Sequence, residues 1–202
     1  MPLKVYLTRT ANIGEPNAGW DYMNLSGTLT RQFAYGENGS TWGWSSYGEQ
    51  DSRARSSSFD RSISGIHWAV NQNPELWFDL PSGAGTYDVA VGSADTFGGG
   101  VSSNWNLRDG TDTGTILHTT NHSSSAGNAI DIAGNETAFA SFDPDTQATV
   151  QLTFATSRLV MNTSTTGSQF ISNVIITEAG APPAAGTYRP FESNTFKQYH
   201  IG

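Results

Sequence analysis

The chain has no cysteine, so neither a disulfide framework nor a thiolate metal site is open to it, and its stability has to come from packing. Charge is scarce: 14% of residues are Asp, Glu, Lys or Arg, and the ten basic residues against 18 acidic ones give a net charge of −8. That balance offers no footprint for a polyanion and argues against nucleic acid and anionic membrane as partners. Helical periodicity is nearly missing, and no apolar run is long enough to span a bilayer, so membrane insertion is not expected. Residues 1–8 alternate like a strand and contain no apolar signal region, so export by an ordinary signal sequence is not expected either.

What is present in quantity is glycine and aromatic surface. The 202 residues include 22 Gly, six Trp, seven Tyr and ten Phe. Such large apolar side chains are what disordered chains lack, and the length fits one domain with a short appendage. Short runs of β-branched and aromatic residues recur between clusters of Gly, Asn, Ser, Asp and Pro, the pattern of a sandwich or barrel. The clearest strands are 76–80, 87–94, 149–154, 158–162 and 170–177, with weaker ones at 4–8, 28–34, 41–47, 103–107, 115–119 and 137–142. Val150, Leu152 and Phe154 share one face while Gln151 and Thr153 take the other, so one side of that sheet is wet and antiparallel pairing is the economical choice. About ten strands are too many for one open sheet of this size, which predicts an all-β fold of two antiparallel sheets face to face, a jelly-roll sandwich with an extended C-terminal tail. Residues 81–86 read as a hairpin connection, and residues 49–64, with Arg53, Arg55 and Arg61 among serines and acids, as a long loop or single helical turn.

The pattern changes after Thr177. The domain therefore covers residues 1–178, followed by a Pro/Ala/Gly linker at 179–187 and a distinct segment at 188–202. That segment holds Tyr188, Phe191, Phe196, Tyr199 and Ile201, with Arg189 and Lys197 against Glu192, and so carries a charge of +1 in an acidic chain. Fifteen residues cannot make a core, yet each large apolar side chain gains roughly 1.5–3 kcal/mol on burial. A tail that docks on a protein subunit of a larger assembly through Tyr188, Arg189, Phe191, Phe196, Lys197, Tyr199 and Ile201 satisfies both statements; folding back on its own domain is the alternative. Exposed strand edges and such a tail also suit a homo-oligomer, although no interface is legible.

Chemistry is harder to find. No Gly-x-Ser-x-Gly elbow is present, and His118 and His122, four residues apart, meet only on a helix that this Thr- and Asn-rich stretch does not form. No catalytic or metal-binding residue is assigned. Asp79, Asp88 and Asp95 read as rim or outward-facing residues. Asp109, Asp112, Asp143 and Asp145 sit in turn sequences, where turn formation is the default role and a structural calcium ion is the one cofactor such loops suit. The aromatics divide by position. Trp42 and Trp44 share a strand face and read as core, whereas Phe97 before a triple glycine and Trp105 after Asn104 read as surface residues. Phe97, Asn104 and Trp105 are thus the carbohydrate-binding candidates, aromatic plates with a polar neighbour.

The order Thr41-Trp42-Gly43-Trp44, the arginine-bearing stretch through Asp60-Arg61, the strand 76–80, Leu80-Pro81-x-Gly83-x-Gly85-Thr86-Tyr87-Asp88-Val89-x-Val91-Gly92-x-Ala94-Asp95 and the closing run 170–178 resemble malectin-like members of the galactose-binding-like jelly-roll superfamily, over residues 3–178. The resemblance implies a β-sandwich that binds carbohydrate through loop aromatics and polar residues at one end, although the 98–100 glycine loop departs from the usual binding loop. Such domains are also similar to modules that decorate bacteriophage particles. The resulting expectation is a non-enzymatic virion decoration-type protein, outside the cell on a particle surface, anchored by its tail with the sandwich exposed to glycans. A free-standing carbohydrate-binding module is the alternative, and a sandwich-fold hydrolase or lyase is the third reading.

Overall fold

The computed structural model describes residues 1–7, 19–22, 35–36, 39–46, 49–54, 65–70, 75–95, 99–163 and 169–180, with the backbone alone at 21–22, 46, 49–54 and 65–70. In chain order the strands are β1 (Leu3–Tyr6), β2 (Asp21–Tyr22), β3 (Trp42–Ser46), β4 (Glu49–Ala54), β5 (Gly65–Val70), β6 (Glu75–Asp79), β7 (Gly85–Ser93), β8 (Ser102–Ser103) and β9 (Asn106–Asp109). They continue as β10 (Ile116–Thr119), β11 (His122–Ser123), β12 (Asn128–Asp131), β13 (Glu136–Ala138), β14 (Val150–Phe154), β15 (Arg158–Asn162), β16 (Gln169–Ile171) and β17 (Asn173–Glu178).

The period-two alternation of the sequence builds two faces. In β14, Leu152 and Phe154 are buried while Gln151 and Thr153 are exposed, as the wet-face reading requires. The larger sheet runs β13-β12-β7-β17-β1-β2, with β14 on the same edge of the long β7 as β12. The second sheet runs β10-β9-β15-β6-β3. Pairing is antiparallel apart from β1 with β2 among the described strands. The two sheets pack face to face as an antiparallel β-sandwich, compatible with a jelly roll. Their shared core holds Trp42, Trp44, Phe78, Trp105, Leu107, Leu159 and Met161 from one side and Val5, Tyr87, Val89, Val91, Leu152, Val174 and Ile176 from the other. The Trp42 and Trp44 pair is accordingly core, as expected of same-face tryptophans.

Several expectations are corrected. Residues 81–86 do not close a hairpin: β6 lies in the five-stranded sheet and β7 in the larger one, so the segment is an arch between sheets. Gly83, at φ 81°, makes the turn, and the Tyr87 hydroxyl fastens it, accepting from the Ser82 N–H at 3.2 Å and donating to the Gly83 carbonyl at 2.8 Å. The first part of 49–64 is a strand, β4, which pairs with β5 and stands last in the order β16-β5-β4 among the described strands. Residues 55–64, the 28–34 strand, Phe97 and the whole 188–202 tail lie outside the described residues. The 103–107 and 170–177 runs are each interrupted, at Asn104-Trp105 and at Ser172, and 137–142 ends in a 3-10 turn at Phe139–Ser141.

Candidate functional site

Trp105 is fully buried, which corrects its reading as an exposed stacking plate. Its indole N–H donates to the Phe170 carbonyl at 2.9 Å and its backbone N–H to Thr120 Oγ1 at 2.8 Å. With its polar atom satisfied, an indole gains most from the core, and proximity to a glycine-rich loop does not outweigh that. Asn104, half-buried, donates its backbone N–H to Gln169 Oε1 at 2.9 Å. The structure therefore brings Asn104 and Trp105 together at a strand entry, as a structural joint.

Two other places on the described surface gather polar and aromatic side chains. The first is the outer face of the five-stranded sheet. In β6, Leu76 and Phe78 point into the core, so Glu75, Trp77 and Asp79 point out. Across the ladder Asp79 faces Arg158 and Trp77 faces Val160, while on the other side Trp77 faces Gly43, at φ 147°, which adds no side chain. The Arg158 guanidinium lies 4.4 Å from the Trp77 ring centre and 4.7 Å from that of Tyr35. It donates to Asp79 Oδ1 at 3.2 Å and to the Tyr35 hydroxyl at 2.7 Å, and that hydroxyl donates to Asp79. Glu75 Oε2 accepts from the Trp77 indole at 3.2 Å and from Ser45 Oγ at 2.7 Å. The result is a half-buried plate with one cation and two carboxylates, each of which already has partners. It also ties the Tyr35–Gly36 turn to β3 through the Tyr35 N–H and Trp44 carbonyl at 2.9 Å. The outward alternation of Glu75-Leu76-Trp77-Phe78-Asp79 is the sequence signal that marks Trp77; nothing local marks Arg158 or Tyr35 as its companions.

Burial and, after it, the hydrogen bond to Asp79 hold the Tyr35 phenol above the ordinary tyrosine range, with the Arg158 charge acting in the opposite sense. The folded value exceeds the unfolded one, so this contribution to stability is complete below about pH 10 and is lost as pH rises through the folded value. Tyr35→Phe is expected to remove one phenol that titrates above the ordinary range from an ultraviolet titration and to flatten the fall in stability above about pH 10. An unchanged titration curve would contradict the assignment.

The second place is a polar depression of about 270 Å³ between the β12–β13 turn and the segment leading into β14, lined by Asp131, Asn135, Thr137, Ser141, Phe142, Asp143, Thr146, Gln147 and Ala148. Asp131 is 7% exposed and accepts four hydrogen bonds. Oδ1 takes the Ala133 and Asn135 N–H groups, both at 2.9 Å, and Oδ2 takes Asn135 Nδ2 at 3.0 Å and the Ala148 N–H at 3.1 Å. One carboxylate thus holds both walls of the depression. Behind it Gln147 Nε2 donates to Asn173 Oδ1 at 2.8 Å, over Gly92, where a Cβ would overlap Asn173 Nδ2 and lie 2.9 Å from Gln147 Oε1.

Of the turn aspartates, Asp143 caps its own turn, while the others are engaged differently. Asp109 accepts the Ala155 and Thr156 N–H groups at 2.8 and 3.1 Å, capping the β14–β15 turn. Asp143 Oδ1 accepts the Asp145 N–H at 2.9 Å, and Asp145 pairs with Lys4 at 2.5 Å. The Asp112 carbonyl accepts from Asn162 Nδ2 at 3.1 Å. Among the described residues no three His, Asp or Glu side chains converge on a position for a metal ion.

The architecture defines an antiparallel β-sandwich with a satisfied aromatic plate on one outer face and an open polar depression beside the other sheet. No family model, no curated protein and no solved structure matches the chain.

Proposed function

We propose that this protein is a non-enzymatic binding and structural module of the malectin-like, galactose-binding-like jelly-roll type, displayed on a larger assembly such as a phage particle. Residues 188–202 anchor it there and the sandwich faces glycans. One observation carries the reading: the last described strand, β17, supplies Val174 and Ile176 to the described core and is fastened at its end by the Ala179 N–H to the Thr86 carbonyl at 2.9 Å and by Ser82 Oγ to Glu178 at 3.0 Å. On this reading Tyr188, Phe191, Phe196, Tyr199 and Ile201 are the side chains offered to a partner subunit. Arg189 and Lys197 add a cationic element suited to an acidic rim.

Removal of residues 181–202 tests it. If the tail serves only as an anchor, the shortened chain is expected to melt within about 2 °C of the full one and to stop co-sedimenting with the assembled particles. If instead two of the tail's large side chains belong to the chain's own core, the melting point falls by well over about 6 °C. Full-length protein that never sediments with particles would also sink the anchoring role. The half-exposed Trp77 plate favours the second reading, a free-standing carbohydrate-binding module, in which truncation changes neither stability nor glycan affinity.

A further inference from the structure

We infer that the depression formed by the β12–β13 turn and residues 141–148 is a binding site for one neutral pyranose ring. Its volume of about 270 Å³ falls just below the range of pockets that take drug-sized ligands, which suits a single ring and excludes a longer chain lying wholly within it. The walls are pre-organised, since the four hydrogen bonds to Asp131 join the turn to the segment opposite.

The polar groups of the lining divide into used and unused ones. Asp131 is saturated by N–H donors. Asp143 accepts the Asp145 N–H through Oδ1, which leaves Oδ2 open. The hydroxyls of Thr137 and Ser141 make no hydrogen bond among the described residues, and Gln147 Oε1 is buried without a partner. A carboxylate oxygen and two hydroxyls that both donate and accept are complementary to the adjacent hydroxyls of a sugar, which do the same. Phe142, 8% exposed and packed with Ala94, Ala129 and Phe139, closes the floor of the depression rather than offering a stacking face.

The same inventory decides against other ligands. Two carboxylates and no Lys or Arg line the depression, so anionic sugars and phosphates are repelled. A divalent cation needs several free oxygens, yet both oxygens of Asp131 face N–H donors and Asp143 is the only other carboxylate in the lining. The site rests on the glycan-facing part of the proposed function only in taking a sugar from among neutral polyols. Its failure leaves tail-dependent assembly untouched.

The test is a titration of the full chain, uniformly 15N-labelled, with the methyl α- and β-pyranosides of glucose, galactose, mannose and N-acetylglucosamine up to about 50 mM. At least one is expected to shift the amides of Thr137, Ser141 and Gln147 saturably, with a Kd of about 1–10 mM. Asp143→Asn keeps an acceptor for the Asp145 N–H and is expected to weaken that binding by at least about tenfold, while Asp145→Asn changes it less than about twofold. Absence of saturable shifts with every glycoside, shifts confined to other residues, or an Asp143→Asn variant that binds like the wild type would overturn the inference. Saturation of the same amides by calcium chloride at sub-millimolar concentration would overturn it in favour of a cation site.

Discussion

Asp131→Ala is expected to lower the stability of the sandwich by about 3–5 kcal/mol, read from the urea midpoint at constant m-value. The carboxylate is 7% exposed and is the acceptor for three backbone N–H groups and one side-chain amide. Each buried donor left without an acceptor costs about 1–3 kcal/mol, and water entering from the depression recovers part of that, so the total stays below the sum. Asp131→Asn separates charge from hydrogen bonding. With its NH2 placed where Oδ2 was, the amide can be met by the Asn135 side-chain oxygen but still faces the Ala148 N–H, so a loss of about 1–3 kcal/mol is expected despite nearly equal volume. A loss under about 1 kcal/mol for the alanine variant would mean that the two walls are held by something other than this residue.

Trp105→Ala is expected to cost about 3–5 kcal/mol by removing the indole from the centre of the core, with part of the spread set by how far Leu107 and its neighbours collapse into the space. Trp105→Phe tests the other half of the residue's role. It keeps much of the volume but leaves the Phe170 carbonyl without the indole N–H, for a loss of about 1–2 kcal/mol from the bond together with the cost of the residual cavity. If Trp105 acted instead as an exposed glycan plate, both variants would stay within about 0.5 kcal/mol of wild type and would lose glycan binding. Chemical denaturation with the remaining tryptophans as the fluorescence probe distinguishes the two outcomes.

The alternation of apolar and polar residues was enough to assign the fold class. Leu76 and Phe78 and Val150 to Phe154 announce strands with one dry face, the apolar 158–162 run announces a strand buried on both, and alternation places Trp42 and Trp44 in the core. Turn chemistry was local at Asp143, which caps the N–H of Asp145 two residues on, whereas Asp109 caps the β14–β15 turn 46 residues away, which only the fold brings to it. Other features depend on partners far away in the chain. Whether 81–86 is a hairpin or an arch is decided by which sheet each flanking strand joins. Trp105 is core because Phe170, 65 residues on, offers a carbonyl to its indole. The polar 49–54 stretch becomes a strand because Gly65–Val70 supplies its hydrogen bonds. The depression exists because Asp131 reaches Ala148, 17 residues later. Local sequence reports the periodicity of a single strand, whereas burial and pocket formation are set by contacts among strands whose free energy appears only once the two sheets have closed on each other.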